Sequence, residues 1–225
     1  MEEFLGVLFC GGRGTRLGEI TKYISKSFIP IYDKPVFKFG LELLERSSLI
    51  SDIIILTNEM NHDDLSREGY RTLLQDDSKV SDMFTGWEFI KEKTGTKANG
   101  ILMPSDNIIN ADIDSMIKSF EKKNCDFLFS LHKINNKIKL SDMGSYNIEK
   151  KKFRYKNPDP NPNSDYGVIA PYIIRNNFQF NSDNIIFESD NSEIIFYDGY
   201  WTDIGDAESL AEANVHFQKV RQKNK

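Results

Sequence analysis

The chain predicts an α/β fold: three Rossmann-like α/β/α layers with a mostly parallel, mixed central sheet and a smaller antiparallel part. Three observations point there. Apolar runs of strand length recur, as in "FLGVLFC" (Phe4–Cys10), "DIIILTN" (52–58) and "GILMP" (100–104). They are continuous rather than alternating, as strands buried on both faces require. Segments of helical period separate the early runs, and strand–helix–strand is the order of a parallel sheet. The 225 residues, 39 % hydrophobic and 12 % aromatic, also suffice for one large core.

Taken in order, Phe4–Cys10 is a buried strand closed by Gly11 and Gly12. The stretch 35–50 reads as a helix with Phe37, Leu41, Leu44 and Ser48 on one face. A strand follows at 52–58 and a third in "YRTLLQ" (70–75). Residues 80–93 form a helix with Met83, Trp87 and Ile90 spaced for one face. "NGILMPSDN" is a strand that ends at Ser105, Asp106 and Asn107. "DIDSMIKSFEKKN" (112–124) is an amphipathic helix, and "CDFLFSLHKI" (125–134) a strand. The texture then changes. Residues 143–156 alternate like a hairpin, 157–164 hold three prolines and read as loop, and "YGVIAPYII" and "SEIIFYD" are further strands. The last helix starts at Asp206 as N-cap, with Leu210, Ala213 and Phe217 inward. No repeat or linker divides the chain, so residues 1–225 are expected to form one domain: 1–110, then an inserted mixed-sheet part at 111–205, then the helix 206–225.

Composition excludes several functions. A net charge of -5 and a pI near 5.4 offer no dominant basic face for nucleic acid. Cys10 and Cys125 lack metal-site spacing and read as buried thiols of a reducing compartment. The N-terminal apolar run is too short for a leader or a membrane span, so a soluble cytoplasmic protein is expected. His62, His132 and His216 have no partner spacing, which disfavours histidine-based catalysis.

The informative stretch is "FCGGRGTRLGEITKYISKSFIPIYDKP" (9–35). After a parallel strand the chain turns over the carboxyl edge of the sheet, where open α/β folds bind ligands. Glycines there let backbone N–H groups approach phosphate oxygens, and Arg13, Arg16 and Lys26 can neutralise the charge. A tight turn with surface cations explains the same residues equally well. The spacing matches neither G-x-x-x-x-G-K-[ST] nor G-x-G-x-x-G, which disfavours a P-loop ATPase and a dinucleotide dehydrogenase.

"GGRGTRL" followed by "KSFIPIYDKP" resembles the N-terminal signature of the sugar-1-phosphate nucleotidylyltransferases, the thymidylyltransferases for glucose 1-phosphate above all. The resemblance implies the nucleotide-diphospho-sugar transferase type of fold, with a nucleotide half, a sugar half, and a role in precursors of surface polysaccharides or glycoconjugates. It implies that a nucleoside triphosphate and a sugar 1-phosphate give a nucleotide sugar and pyrophosphate, with no nucleic-acid or membrane partner; a homo-oligomer is compatible with it. Gly11, Gly12, Arg13, Gly14, Thr15, Arg16 and Gln75 would contact the nucleotide, with Arg16, Lys26 and Asp106 catalytic.

Such chemistry joins two anions, so Mg²⁺ held by carboxylates is expected. Asp106, in "PSDN", and Asp203, in "GYWTDIGD", match the family's two metal-binding positions, although each alone also reads as a turn or helix-entry aspartate. Lys156, Tyr155 and Tyr172 fall where the sugar phosphate would bind, but Tyr155 replaces an acid and Ala170-Pro171 a glycine. "QDDSKVSDMFTG" departs from the base-reading segment, and thymidylyl, uridylyl and cytidylyl transfer all stay open, as does a phospho-alcohol acceptor. The short stretch after Asp203 suggests an unregulated form. The rival readings are a nucleotide-sugar-binding module without strong catalysis, and a glycosyltransferase using the Asp-x-Asp at 112–114, where helix capping is the simpler role.

Overall fold

The computed structural model describes residues 2–136, 139–140, 143–147, 152–154, 165–178, 186–188 and 191–223. In chain order the strands and helices are β1 (Phe4–Cys10), β2 (Pro30–Ile31), β3 (Lys34–Pro35), α1 (Phe37–Glu45), β4 (Ile50–Thr57), α2 (Glu59–Arg67), β5 (Thr72–Leu74), α3 (Met83–Thr94), β6 (Asn99–Pro104), β7 (Asn107–Ile109), α4 (Ile113–Lys123) and β8 (Phe127–Lys133). They continue with β9 (Gly144–Asn147), β10 (Lys152–Arg154), β11 (Tyr166–Ile174), β12 (Ile186–Glu188), β13 (Ser192–Tyr197), β14 (Trp201–Asp203) and α5 (Ala207–Lys223).

Among the described residues one sheet of ten strands organises the fold. Its first half is parallel, with β1 between β6 and β4 and with β5 outside β4. β11 then joins β6 antiparallel and also pairs with β8 and β9, so the antiparallel part continues the same sheet rather than standing apart. Alternation along β1 sorts the helices. Gly40 of α1 lies against the side chains of Leu8 and Met103, while Gly86 of α3 lies against Phe9 and Leu56. Leu8 and Phe9 are consecutive and face opposite ways, so α1 and α3 cover opposite faces. Phe120 of α4 meets Phe4 edge-on at 5.9 Å, on the Leu8 side. Three layers result. Continuous strand hydrophobicity is used on both faces: Phe4, Leu5, Val7 and Leu8 are all buried.

Two expectations need correction. The helix read over 35–50 ends at Glu45, and Ile50 already belongs to β4. Ser48, offered there as a helix-face residue, instead hydrogen-bonds Asp114 from the connection. Helix α2 was not anticipated, because "EMNHDDLSR" buries only Asn61 and Leu65 and so carries no apolar stripe. The polar loop at 157–164 lies outside the described residues.

A second, smaller core forms where the chain returns. Ile31, Val36, Ile108, Ile204 and Ala213 pack together, with Phe39, Leu210 and Phe217 against them. This cluster clamps β14 to β7 and seats α5, whose N-cap Asp206 accepts the backbone N–H of Ser209 at 2.8 Å. Ile204 is fully buried beside Asp203. Ile204→Ala is therefore expected to lower unfolding free energy by about 2–4 kcal/mol, measured by urea denaturation; a loss below about 1 kcal/mol would show that the cluster does not anchor this end.

Candidate active site

Parallel strands β1, β4 and β5 deliver their carboxyl ends to one edge, and the chemistry-bearing residues follow directly. Gly11 and Gly12 leave β1, Asn58 leaves β4 and Gln75 leaves β5, whose backbone N–H bonds Thr57 O at 2.8 Å. The Gln75 side chain lies across Gly11, where an added Cβ would sit 1.8 Å from Oε1. A side chain at 11 would have to turn the flexible end of Gln75 aside. Gln75 Nε2 donates to Asp77 Oδ1 at 2.6 Å, and Arg13 Nη2 reaches Asp77 Oδ2 at 3.0 Å. A cleft of about 810 Å³ opens here, lined by Gly12, Arg13, Ser25, Asn58, Leu74 and Gln75 among others.

Gly14 turns the chain with φ 64° into the 3-10 segment Thr15–Lys22, and an added Cβ there would meet Lys26 Cβ at 2.8 Å. The turn is thus pressed against Lys26. Thr15 and Arg16 are exposed and Leu17 is the buried anchor between turn and core.

Lys26 is buried and its Nζ stands 2.5 Å from Asp106 Oδ2. Under it, Ser27 Oγ and Ser105 Oγ are 3.0 Å apart, tying the lysine segment to the turn after β6. Asp203 arrives on β14, which pairs antiparallel with β7 so that Asp203 faces Asn107 and Ile204 N–H donates to Asp106 O at 2.9 Å. Trp201 Nε1 donates to Asn107 Oδ1 at 3.0 Å, and Asn107 Nδ2 to Asp106 Oδ1 at 3.0 Å. An added Cβ at Gly205 would lie 3.1 Å from Arg16 Nη2 and 3.7 Å from Asp203 Oδ2, so both groups converge on that bare backbone.

Burial, then repulsion from Asp106, pushes the Asp203 carboxyl up to about 6, against the opposing pull of Lys26, Arg16 and Lys139. Its Oδ1 is buried and has no hydrogen-bond partner among the described residues. Two adjacent carboxylates that repel each other, one with an unpaired oxygen, suit a divalent cation completed by phosphate and water.

Of the residues picked from sequence, Arg16, Lys26, Asp106 and Asp203 gather at one place, while Gly11, Gly12, Arg13, Gly14, Thr15 and Gln75 form the adjoining turn and cleft. Tyr172 stands in the core, only 4 % exposed, its ring stacked on Phe127 at 5.8 Å. Burial and the Asp203 charge raise its hydroxyl above the usual range. Lys156 and Tyr155 lie outside the described residues. The Asp-x-Asp is structural: Asp112 caps α4 through Ser115 N–H at 3.0 Å, and Asp114 accepts Ser48 Oγ at 2.8 Å. Cys10 lies below the turn, its thiol pushed up to about 12 by burial, so it offers no thiolate. Lys139, not anticipated, holds its Nζ 5.2 Å from the Trp201 ring centroid and adds positive charge near Asp203.

Layer order, with a glycine turn at the carboxyl edge of the sheet and paired carboxylates beside it, defines an α/β domain of the doubly wound type. The chain belongs to the nucleotidyl transferase family, whose model matches residues 5–172. It is similar to the glucose-1-phosphate thymidylyltransferase of Neisseria gonorrhoeae, 42 % identical over 52 residues, which are 23 % of this chain and 18 % of that one. Similarity to the same enzyme of Xanthomonas campestris pv. campestris strain B100 is 43 % over 56 residues, 25 % and 19 % of the two chains. The matched stretches thus span under a fifth of these relatives. The fold is also that of a Bacillus anthracis protein provisionally named a glucose-1-phosphate thymidylyltransferase and solved with sucrose. There the TM-score is 0.77 at 20 % identity, covering 95 % of this chain and 94 % of that one.

The acid pair makes a direct prediction for the metal-free protein. A carboxyl raised from 3.8 to about 6 is protonated in the folded state while the unfolded chain is already ionised, so stability falls as pH rises through that window. Asp203→Asn should therefore raise the thermal midpoint at pH 7.5, by the equivalent of about 3 kcal/mol, and the advantage should shrink as pH falls towards 4. A midpoint lowered at pH 7.5 would show that the buried charge does not cost the fold stability.

Proposed function

We propose that the protein is a nucleotidylyltransferase that joins a nucleoside triphosphate to a sugar 1-phosphate. The observation that carries this reading is the convergence of Lys26, Asp106 and Asp203, the first two 2.5 Å apart, beside the glycine turn of a family member. In the reaction a phosphate oxygen of the sugar phosphate bonds to the α-phosphorus. The bond from that phosphorus to the oxygen bridging to the β-phosphorus breaks, and pyrophosphate leaves with the electron pair. Both reactants are anions, so positioning and charge neutralisation supply most of the catalysis.

The residues divide that work. Bare backbone at Gly12 leaves open space for the triphosphate to approach, while Gly11 and Gly14 let Gln75 and Lys26 pack against the turn. Arg16 is exposed, its guanidinium faces Gly205, and it would steady the triphosphate. Lys26 is fixed by its buried stem and its bond to Asp106, and balances charge as the pentacoordinate phosphorus develops. Asp106 and Asp203 would hold Mg²⁺, which would supply further neutralisation of the reacting phosphates. Asn107, itself held by Trp201, orients Asp106. Lys139, beside Trp201 and Asp203, would add a cation for the incoming sugar phosphate. The cleft next to Gln75 has room for a nucleoside.

Incubation with Mg²⁺, each common nucleoside triphosphate and a panel of sugar 1-phosphates should release pyrophosphate with at least one pair. Asp106→Asn and Arg16→Ala should each cut the rate by about a hundredfold or more, the scale for losing one electrostatic group at a reacting phosphate or carbonyl. Tight nucleotide binding with no release under any pairing would instead mark a binding module.

A further inference from the structure

Four buried side-chain atoms among the described residues have no hydrogen-bond partner: Asp203 Oδ1, Trp87 Nε1, Ser25 Oγ and Asn58 Oδ1. Asp203 belongs to the acid pair, and Trp87 is a core residue packed on Gly100. Ser25 and Asn58 remain. Both line the cleft beside Gly12 and Gln75, and Ser25 is only 8 % exposed. Native proteins rarely leave such atoms unpaired, and when they do a ligand is a natural partner.

Asn58 is the sharper case because it forgoes a partner available to it. It is the N-cap of α2, with φ -86° and ψ 173°, a position where asparagine is favoured because its side-chain oxygen accepts a helix N–H. Here no such bond forms. Instead Nδ2 donates to Gly11 O at 3.2 Å, drawing the amide towards the glycine turn. That bond settles which end of the amide is nitrogen and leaves Oδ1 as a buried acceptor. Such an atom needs an O–H or N–H donor. Ionised phosphates have none, whereas a nucleoside has both, on the ribose and on the base.

We propose that Asn58 is a specificity-determining residue of the nucleotide site: its Oδ1 accepts a hydrogen bond from a ribose hydroxyl or a base N–H, and Ser25 Oγ contacts the same nucleoside. The assignment rests on the nucleotidylyl-transfer reading and adds the group that distinguishes a nucleotide from a bare polyphosphate. Gln75 and Asn58 then approach the ligand from neighbouring strand ends, both held against Gly11.

Isothermal titration of the full chain tests it, with each nucleoside triphosphate and with inorganic tripolyphosphate. Asn58→Ala should weaken the best nucleotide about tenfold, as for one lost hydrogen bond, and leave tripolyphosphate unchanged. Asn58→Ser, which can still cap α2 but is shorter, should show the same loss while folding normally by circular dichroism. Ser25→Ala should lose nucleotide affinity without losing tripolyphosphate. Among 2′-deoxy, 3′-deoxy and N-methylated-base analogues, the one lacking the partner donor should bind the unaltered protein about tenfold less well, and Asn58→Ala should cost it nothing further. That analogue identifies ribose or base. Unchanged nucleotide affinity in both Asn58 variants, or equal losses for nucleotide and tripolyphosphate, would overturn the proposal. Nucleotide affinity that depends on Asn58 without pyrophosphate release would keep the proposal and defeat the transfer reading. Pyrophosphate release with unaltered affinity in both Asn58 variants would do the reverse.

Discussion

The structure depends on keeping two carboxylates side by side in poorly hydrated surroundings. Asp106 and Asp203 come from distant parts of the chain and are joined by the antiparallel pairing of β7 with β14. Burial first, and then the repulsion of like charges so placed, pushes the Asp203 carboxyl from its ordinary value of 3.8 up to about 6. The surroundings offset this with cations: Lys26 touches Asp106, and Arg16 and Lys139 act on Asp203 from further away. The second core around Ile108 and Ile204 supplies the mechanical part, since a ladder of three residues could not hold the pair unaided.

Sheet geometry places the rest. Neighbouring parallel strands end at one edge, so residues just past β1, β4 and β5 fall in a row without any special device. Gly11, Asn58 and Gln75 interlock there: Asn58 bonds the carbonyl of Gly11, and Gln75 covers its α-carbon. Seating that row is the work of the main core, with Leu8 under α1 and Phe9 under α3. The cleft beside Gln75 and the acid pair thus share the glycine turn but are built by different parts of the fold.

What was legible in the sequence follows the strength of the physical signal. Strands buried on both faces, such as β1, β6 and β11, announce themselves as unbroken apolar runs, and the glycine turn with Arg16 and Lys26 is punctuation of the same clarity. Asp106 and Asp203 could be picked by resemblance, yet the pairing that unites them could not, because β7 and β14 are three residues each and carry no period. α2 escaped notice for want of an apolar stripe. Asn58 ends the run read as a strand, and Ser25 carries no motif of its own; their isolation as buried polar atoms exists only once the chain has closed around them. Tyr172 was drawn to the sugar by its neighbours in sequence, but β11 turns its ring into the core.

The contact between Gly11 and Gln75 has an evolutionary corollary. An added Cβ at 11 would overlap the amide of Gln75, the far end of a flexible side chain, so a larger residue can arise there only as that amide turns aside. The two positions are thus expected to vary together: the bare backbone at 11 is where the Gln75 amide rests, and a change at either one resets the other.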